Sequence, residues 1–220
     1  MERDGVTIEA VIWDFGGVFT TSPFEAFNRY EARRGLPADF IRAVNATRPD
    51  ANAWARFERA EIDAAGFDAA FLAESAALGH AVRGADILPL LAGGVRPAMV
   101  EVLRTCTGRL KVGCITNNMS SGQAFWRSAE IADIFNLFDA VVESSKVGVR
   151  KPDPRIYLMM CEALDVAPGA CVYVDDLGIN CKPAAALGMT AIKFVNERQG
   201  LADLERATGL TFPRLAEALA

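Results

Sequence analysis

The chain predicts an α/β fold, a Rossmann-like parallel sheet core with an inserted helical cap after the first strand. Three observations carry that prediction. Short apolar runs of strand character alternate with helical patterns over residues 8–20 and 95–220, the order expected of a parallel sheet covered by helices on both faces. A different kind of sequence, rich in Ala, Phe, Arg and Glu and without a strand run, interrupts the alternation over 23–80. Chemically capable polar residues stand at the ends of the apolar runs, where open α/β sheets present their ligands.

In chain order, strands are expected at 10–15, 110–115, 140–143, 171–174 and 191–194, with helices between them at 96–106, 154–164 and 183–187. The stretch 23–80 carries apolar residues at helical spacing, as in Phe67, Ala70 and Phe71, and reads as four or so helices. The segment 79–94 holds four glycines and a proline and reads as a linker back to the core. The expected division is therefore a core of 1–20 and 95–220, with 21–94 as cap and return linker. The cap aromatics Phe24, Phe27, Tyr30, Phe40, Trp54 and Phe57 have two readings. They form the cap's own core, or one or two line a pocket facing the end of the first strand.

Length and charge bound the function. The 220 residues carry 23 basic and 28 acidic side chains, a net charge of −5, which argues against nucleic acid or an anionic membrane as partner. A small phosphorylated substrate is compatible with it, because a metal ion and one lysine invert the local field. No apolar stretch approaches the ~18 residues of a membrane span, and the first five residues hold no targeting run. The five cysteines (Cys106, Cys114, Cys161, Cys171 and Cys181) are scattered without metal-site spacing. Reduced thiols in the cytoplasm are expected, with Cys114 and Cys171 packed in the core. Oligomeric state is not legible.

Four motifs fall at strand ends. Asp14 closes the first strand, in Trp13-Asp14-Phe15-Gly16-Gly17, as a carboxylate able to attack an electrophile, or a turn aspartate. Thr116 and Asn117, after Cys114-Ile115, offer neutral donors for an anionic oxygen, or an ordinary polar turn. Lys151 stands in Arg150-Lys151-Pro152-Asp153-Pro154, where two prolines stiffen the loop that presents it. Asp175 and Asp176 follow Val172-Tyr173-Val174; adjacent carboxylates repel each other unless a cation lies beside them, and hard oxygen ligands suit Mg²⁺. On successive ends of one parallel sheet these groups meet in a single crevice.

This order of motifs resembles the haloacid dehalogenase-like hydrolase superfamily over 11–18, 114–118, 147–157 and 173–189. Within it the chain looks most like the N-terminal phosphatase domain of soluble epoxide hydrolases and its bacterial relatives. That likeness rests on Glu143-Ser144-Ser145-Lys146-Val147-Gly148-Val149-Arg150-Lys151-Pro152-Asp153-Pro154, on Asp175-Asp176-Leu177-Gly178-Ile179-Asn180-Cys181-Lys182-Pro183-Ala184, and on Leu204-Glu205-Arg206-Ala207-Thr208-Gly209-Leu210. The resemblance implies Asp14 as phosphoryl-accepting nucleophile, Thr116 and Asn117 as the anion-holding pair, and Lys151 as the cation between nucleophile and phosphate. It implies a Mg²⁺ site of Asp14, the backbone carbonyl of Gly16, and Asp176, with Asp175 helping to hold the metal shell and Asn180 ordering that loop.

Gly16 departs from the pattern, since phosphatases of the family carry a general acid/base aspartate there. Losing a positioned acid/base costs ~10²–10⁴ in rate. The lone histidine, His80, lies near the return linker and is read as incidental. Three functions follow: a Mg²⁺-dependent phosphatase on a small phosphorylated metabolite, a metal-independent 2-haloacid dehalogenase-type hydrolase, or a non-catalytic module binding a phosphorylated ligand or a protein.

Overall fold

Five parallel strands form one sheet in the order β3-β2-β1-β4-β5: β1 (Ala10–Trp13), β2 (Lys111–Thr116), β3 (Ala140–Glu143), β4 (Cys171–Asp175) and β5 (Thr190–Lys193). The computed structural model describes residues 7–118 and 128–212; the first residues, read above for a targeting run, lie outside them. All four residues of β1 are fully buried, as expected of the central strand of a sheet covered on both faces.

Side-chain alternation divides the core into two layers. Val11, Trp13, Val112, Cys114, Val172 and Val174 face one cluster with Met99, Leu103, Ile131 and Leu204. Ala10, Ile12, Ile115, Cys171 and Tyr173 face the other, with Ile156, Tyr157, Met160 and Ala184. Because the strand period is two, each strand feeds both layers. The expected α/β class and its five strands are therefore present, within a residue or two at the ends.

The chain leaves the sheet after β1 and builds α1 (Pro23–Arg34), α2 (Phe40–Ala46), α3 (Ala53–Glu58), α4 (Ala64–Ala77) and α5 (Gly84–Ile87), then a 3₁₀ turn at Leu88–Leu91. These elements share a cluster of their own, in which Phe27, Tyr30, Phe40 and Phe57 are buried and Phe24 and Trp54 partly so. An antiparallel bridge between Thr20 and Val95 lies where the chain returns. The return segment is more regular than its glycines and proline suggested. Val82, Ile87 and Leu88 are buried in the helical cluster, and that packing overrides local propensity.

The core then continues through α6 (Pro97–Cys106), α7 (Ala129–Phe135), α8 (Ser144–Val147), α9 (Pro154–Leu164), α10 (Gly178–Ala186) and α11 (Glu197–Thr208). The helix expected at 183–187 begins at Gly178, so Pro183 lies inside it rather than at its start. Asn180 and Cys181 donate backbone N–H groups to the Leu177 carbonyl, and the Asn180 side chain binds Asp175. These bonds hold the first turn of the helix, five residues before the expected start.

Candidate active site

Asp14 leaves the sheet immediately after β1 and is held there by its N–H, which donates to the Val174 carbonyl at 2.8 Å. The following turn is pinned from beneath. Phe15, Val18 and Phe19 are fully buried, and Phe15 stacks on Phe135 with ring centroids 4.6 Å apart. The glycines between these anchors are thereby left at the sheet edge. β1 sits between β2 and β4, and the strand order reverses direction around it, so Asp14 stands at the topological switch point.

Lys151 reaches this point from the loop before α9 and is 1% exposed. Its Nζ lies 2.7 Å from Asp14 Oδ1 and 2.9 Å from Asp175 Oδ2, and donates to the Ile115 carbonyl at 3.0 Å. Burial pulls the ammonium's pKa down, but Asp14 and Asp175 outweigh it and hold it above the ordinary lysine range. Lys151 is therefore a fixed positive charge.

Asp175 is fully buried and saturated. Its Oδ2 accepts from Tyr173 Oη at 2.6 Å, Asn180 Nδ2 at 3.1 Å and Lys151; its Oδ1 accepts from the Leu177 N–H at 2.8 Å and Asn180 Nδ2 at 3.2 Å. Tyr157 donates to the Asn180 carbonyl at 2.8 Å and steadies this loop from below. Asp176 faces the turn after β1 instead.

Oxygens of Asp14, Asp175 and Asp176 lie within 4.8 Å of one another. Among the described residues one ammonium, that of Lys151, contacts this triad, through Asp14 and Asp175, so two negative charges are left over when all three carboxylates are ionised. Burial, opposed by Lys151 and reinforced by Asp175 and Asp176, raises the Asp14 pKa to about 8. Burial and then Asp175 raise that of Asp176 to about 6. Surplus negative charge on hard oxygens is the donor chemistry that suits Mg²⁺.

The two glycines differ. Gly17 has φ +80°, and a Cβ there would collide with the Asp176 carboxylate. Gly16 has no heavy atom within 4 Å of the place its Cβ would take. The sequence motif thus combines one glycine demanded by close approach with one whose side-chain space is open.

Thr116 ends β2 and is buried beside β1. Asn117 is placed differently from the simple expectation of an anion-holding amide. Its Oδ1 accepts from the Lys151 N–H at 2.8 Å, and its Nδ2 donates to the Lys151 carbonyl at 3.0 Å and to Glu58 Oε2 at 3.3 Å. An amide nitrogen has two hydrogens, and both have partners within the protein. The side chain clamps the Lys151 backbone. His80 packs edge-on against Phe40, in the helical insertion.

Three participants escaped the sequence reading: Glu58 and Arg150, which meet over the Lys151 loop, and Tyr173. Tyr173 had a readable signal, since two residues along a strand share a face and Asp175 is two residues on. Glu58 had none beyond its place on a helix.

Comparison with known proteins agrees with this architecture. Residues 8–188 match the haloacid dehalogenase-like hydrolase family, and the chain belongs to that family of hydrolases. It is 42% identical over 76 residues to mouse bifunctional epoxide hydrolase 2, a match spanning 34% of this chain and 14% of that protein. It is 36% identical over 107 residues to the phosphatase MT3486 of Mycobacterium tuberculosis, spanning 48% of this chain and 46% of the relative. The chain thus matches less than half the length of either relative. A HAD family enzyme from Bacteroides thetaiotaomicron, solved with magnesium and inorganic phosphate, shares the fold with TM-score 0.58 at 18% identity, over 84% of this chain and 93% of that one. No helix among the described residues is long and apolar enough to cross a membrane.

Proposed function

We propose that the chain is a Mg²⁺-dependent phosphomonoesterase acting on a small phosphorylated metabolite through an aspartyl-phosphate on Asp14. The observation that carries this reading is the convergence of Asp14, Asp175 and Asp176, with oxygens within 4.8 Å of one another and the Lys151 ammonium on two of them. Metal-independent attack on carbon, as in a dehalogenase, has no use for three converging carboxylates. The phosphatase relative supports the same choice.

In this reading Asp14, Asp176 and the Gly16 carbonyl hold the metal, which offsets negative charge between nucleophile and phosphate when bound. Asp175 is spent on Lys151, Tyr173, Asn180 and the Leu177 N–H, and acts as the rigid post from which Lys151 is aimed. Thr116, at the end of the neighbouring strand, is the candidate hydroxyl for a phosphate oxygen. Asp14 attacks phosphorus, the P–O bond to the leaving group breaks, and the leaving oxygen departs with the electron pair. Water then attacks the phosphorus of the acyl phosphate, releasing inorganic phosphate and regenerating Asp14.

Gly16 gives neither step a positioned proton carrier. We therefore expect slow turnover and a preference for leaving groups that need little protonation. Residues 21–94 serve in this reading as the cap over the site, with 1–20 and 95–220 as the catalytic core. The test is hydrolysis of an aryl phosphate with and without Mg²⁺ by wild type and Asp14→Asn. Mg²⁺-dependent turnover lost in the variant supports the reading. Equal rates in both proteins contradict it, and phosphate binding without turnover points to a binding module.

A further inference from the structure

Glu58 is the last residue of α3, in the insertion, and is 5% exposed. A buried carboxylate needs donors, and most of those around Glu58 come from the sheet domain. Arg150 Nε and Asn117 Nδ2 meet its Oε2, and Ser144 Oγ donates to its backbone carbonyl at 2.7 Å. Trp54, one turn back in the same helix, donates to Oε1 at 2.9 Å. Arg150 also reaches the Pro49 carbonyl at 3.2 Å, so it ties two points of the insertion to the loop that carries Lys151.

The chain of contacts runs on to the nucleophile. Glu58 holds one hydrogen of the Asn117 amide. The other hydrogen and the amide oxygen clamp the carbonyl and N–H of Lys151, whose ammonium touches Asp14. The two bonds to the Lys151 backbone fix the amide relative to Lys151, and the bond to Glu58 anchors that pair to α3. We propose that Glu58 is a positioning residue that aims Lys151 at Asp14 through Asn117, so that seating of the inserted helices and placement of the site's cation are one event. This rests on the phosphatase reading above.

A double-mutant cycle tests it. Inorganic phosphate affinity in the presence of Mg²⁺, and kcat and KM for an aryl phosphate, are measured for wild type, Glu58→Ala, Asn117→Ala and the double variant. Glu58→Ala is expected to weaken phosphate binding and kcat/KM about tenfold, with the double variant no worse than Asn117→Ala alone. Mg²⁺ affinity is expected to stay unchanged, because Glu58 is outside the acidic triad. Glu58→Gln keeps the shape and an acceptor for Asn117, and is expected to recover part of the loss, which separates positioning from failure to fold. A competent wild type with additive losses, or a Glu58→Ala variant with wild-type phosphate affinity, overturns the inference alone. A wild type that neither binds phosphate nor hydrolyses the ester overturns the phosphatase reading and the inference with it.

Discussion

The Asp176 carboxylate occupies the space that a Cβ on Gly17 would need, and Gly17 has the positive φ that L side chains rarely adopt. Gly17→Ala therefore meets two obstacles: a left-handed backbone, which costs an L-residue about 1–2 kcal/mol, and displacement of Asp176. Isothermal titration is expected to show Mg²⁺ binding by Gly17→Ala weakened at least tenfold, with Gly16→Ala close to wild type. Equal effects of the two substitutions would contradict this division of roles.

Gly16→Asp places a carboxylate in open space beside the nucleophile, at a position outside the left-handed backbone region. If the remaining machinery is competent, the new group supplies the missing acid/base. The turnover number for a poor leaving group, such as an alkyl phosphate, is expected to rise by about 10–10²-fold, part of what a well-placed group contributes. The gain for an activated aryl ester is expected to be smaller, and a uniform gain for both would argue against proton transfer.

The raised pKa values fix the sign of a pH effect. Asp14 and Asp176 bind protons more tightly in the folded chain than at their ordinary value of 3.8. Their contribution to stability is therefore complete below that value and is lost as pH rises through about 6 for Asp176 and about 8 for Asp14. In EDTA the melting temperature is expected to fall across this window. Mg²⁺ needs the charged carboxylates, so its stabilisation is expected to grow over the same window. Differential scanning fluorimetry across the pH range, with and without Mg²⁺, reads both trends.

Lys151→Met removes the ammonium that Asp14 and Asp175 share while keeping a long side chain. Breaking a buried pair from one side typically costs 3–5 kcal/mol, or a melting-temperature loss of about 10 °C for a chain of this size. Thermal denaturation is expected to show that loss, partly recovered by Mg²⁺, together with loss of turnover. A variant as stable as wild type would mean that the carboxylates do not depend on Lys151.

The sequence made the sheet and most of the site legible because both are local. Asp14, Thr116, Asp175 and Asp176 stand at strand ends, and Lys151 in a proline-bracketed loop, so strand periodicity and turn chemistry place them at one edge. Pro183 misled for the same reason: proline is common at the first helical position, whereas the real start at Gly178 is set by the contact of Asn180 with Asp175. Glu58 was illegible because its burial is tertiary, its partners Asn117 and Arg150 lying 59 and 92 residues away along the chain. Asn117 stands at a legible strand end, but its grip on the Lys151 backbone is a contact across 34 residues that turn chemistry does not reveal.

The most direct test of the central claim is mass spectrometry of protein quenched in acid during turnover of an aryl phosphate with Mg²⁺. One phosphoryl group is expected on the peptide containing Asp14, cleaved by hydroxylamine as acyl phosphates are and absent from Asp14→Asn. That species is expected to accumulate, because Gly16 leaves no base to activate the attacking water. Turnover that proceeds without label on Asp14, and at the wild-type rate in Asp14→Asn, would contradict that claim.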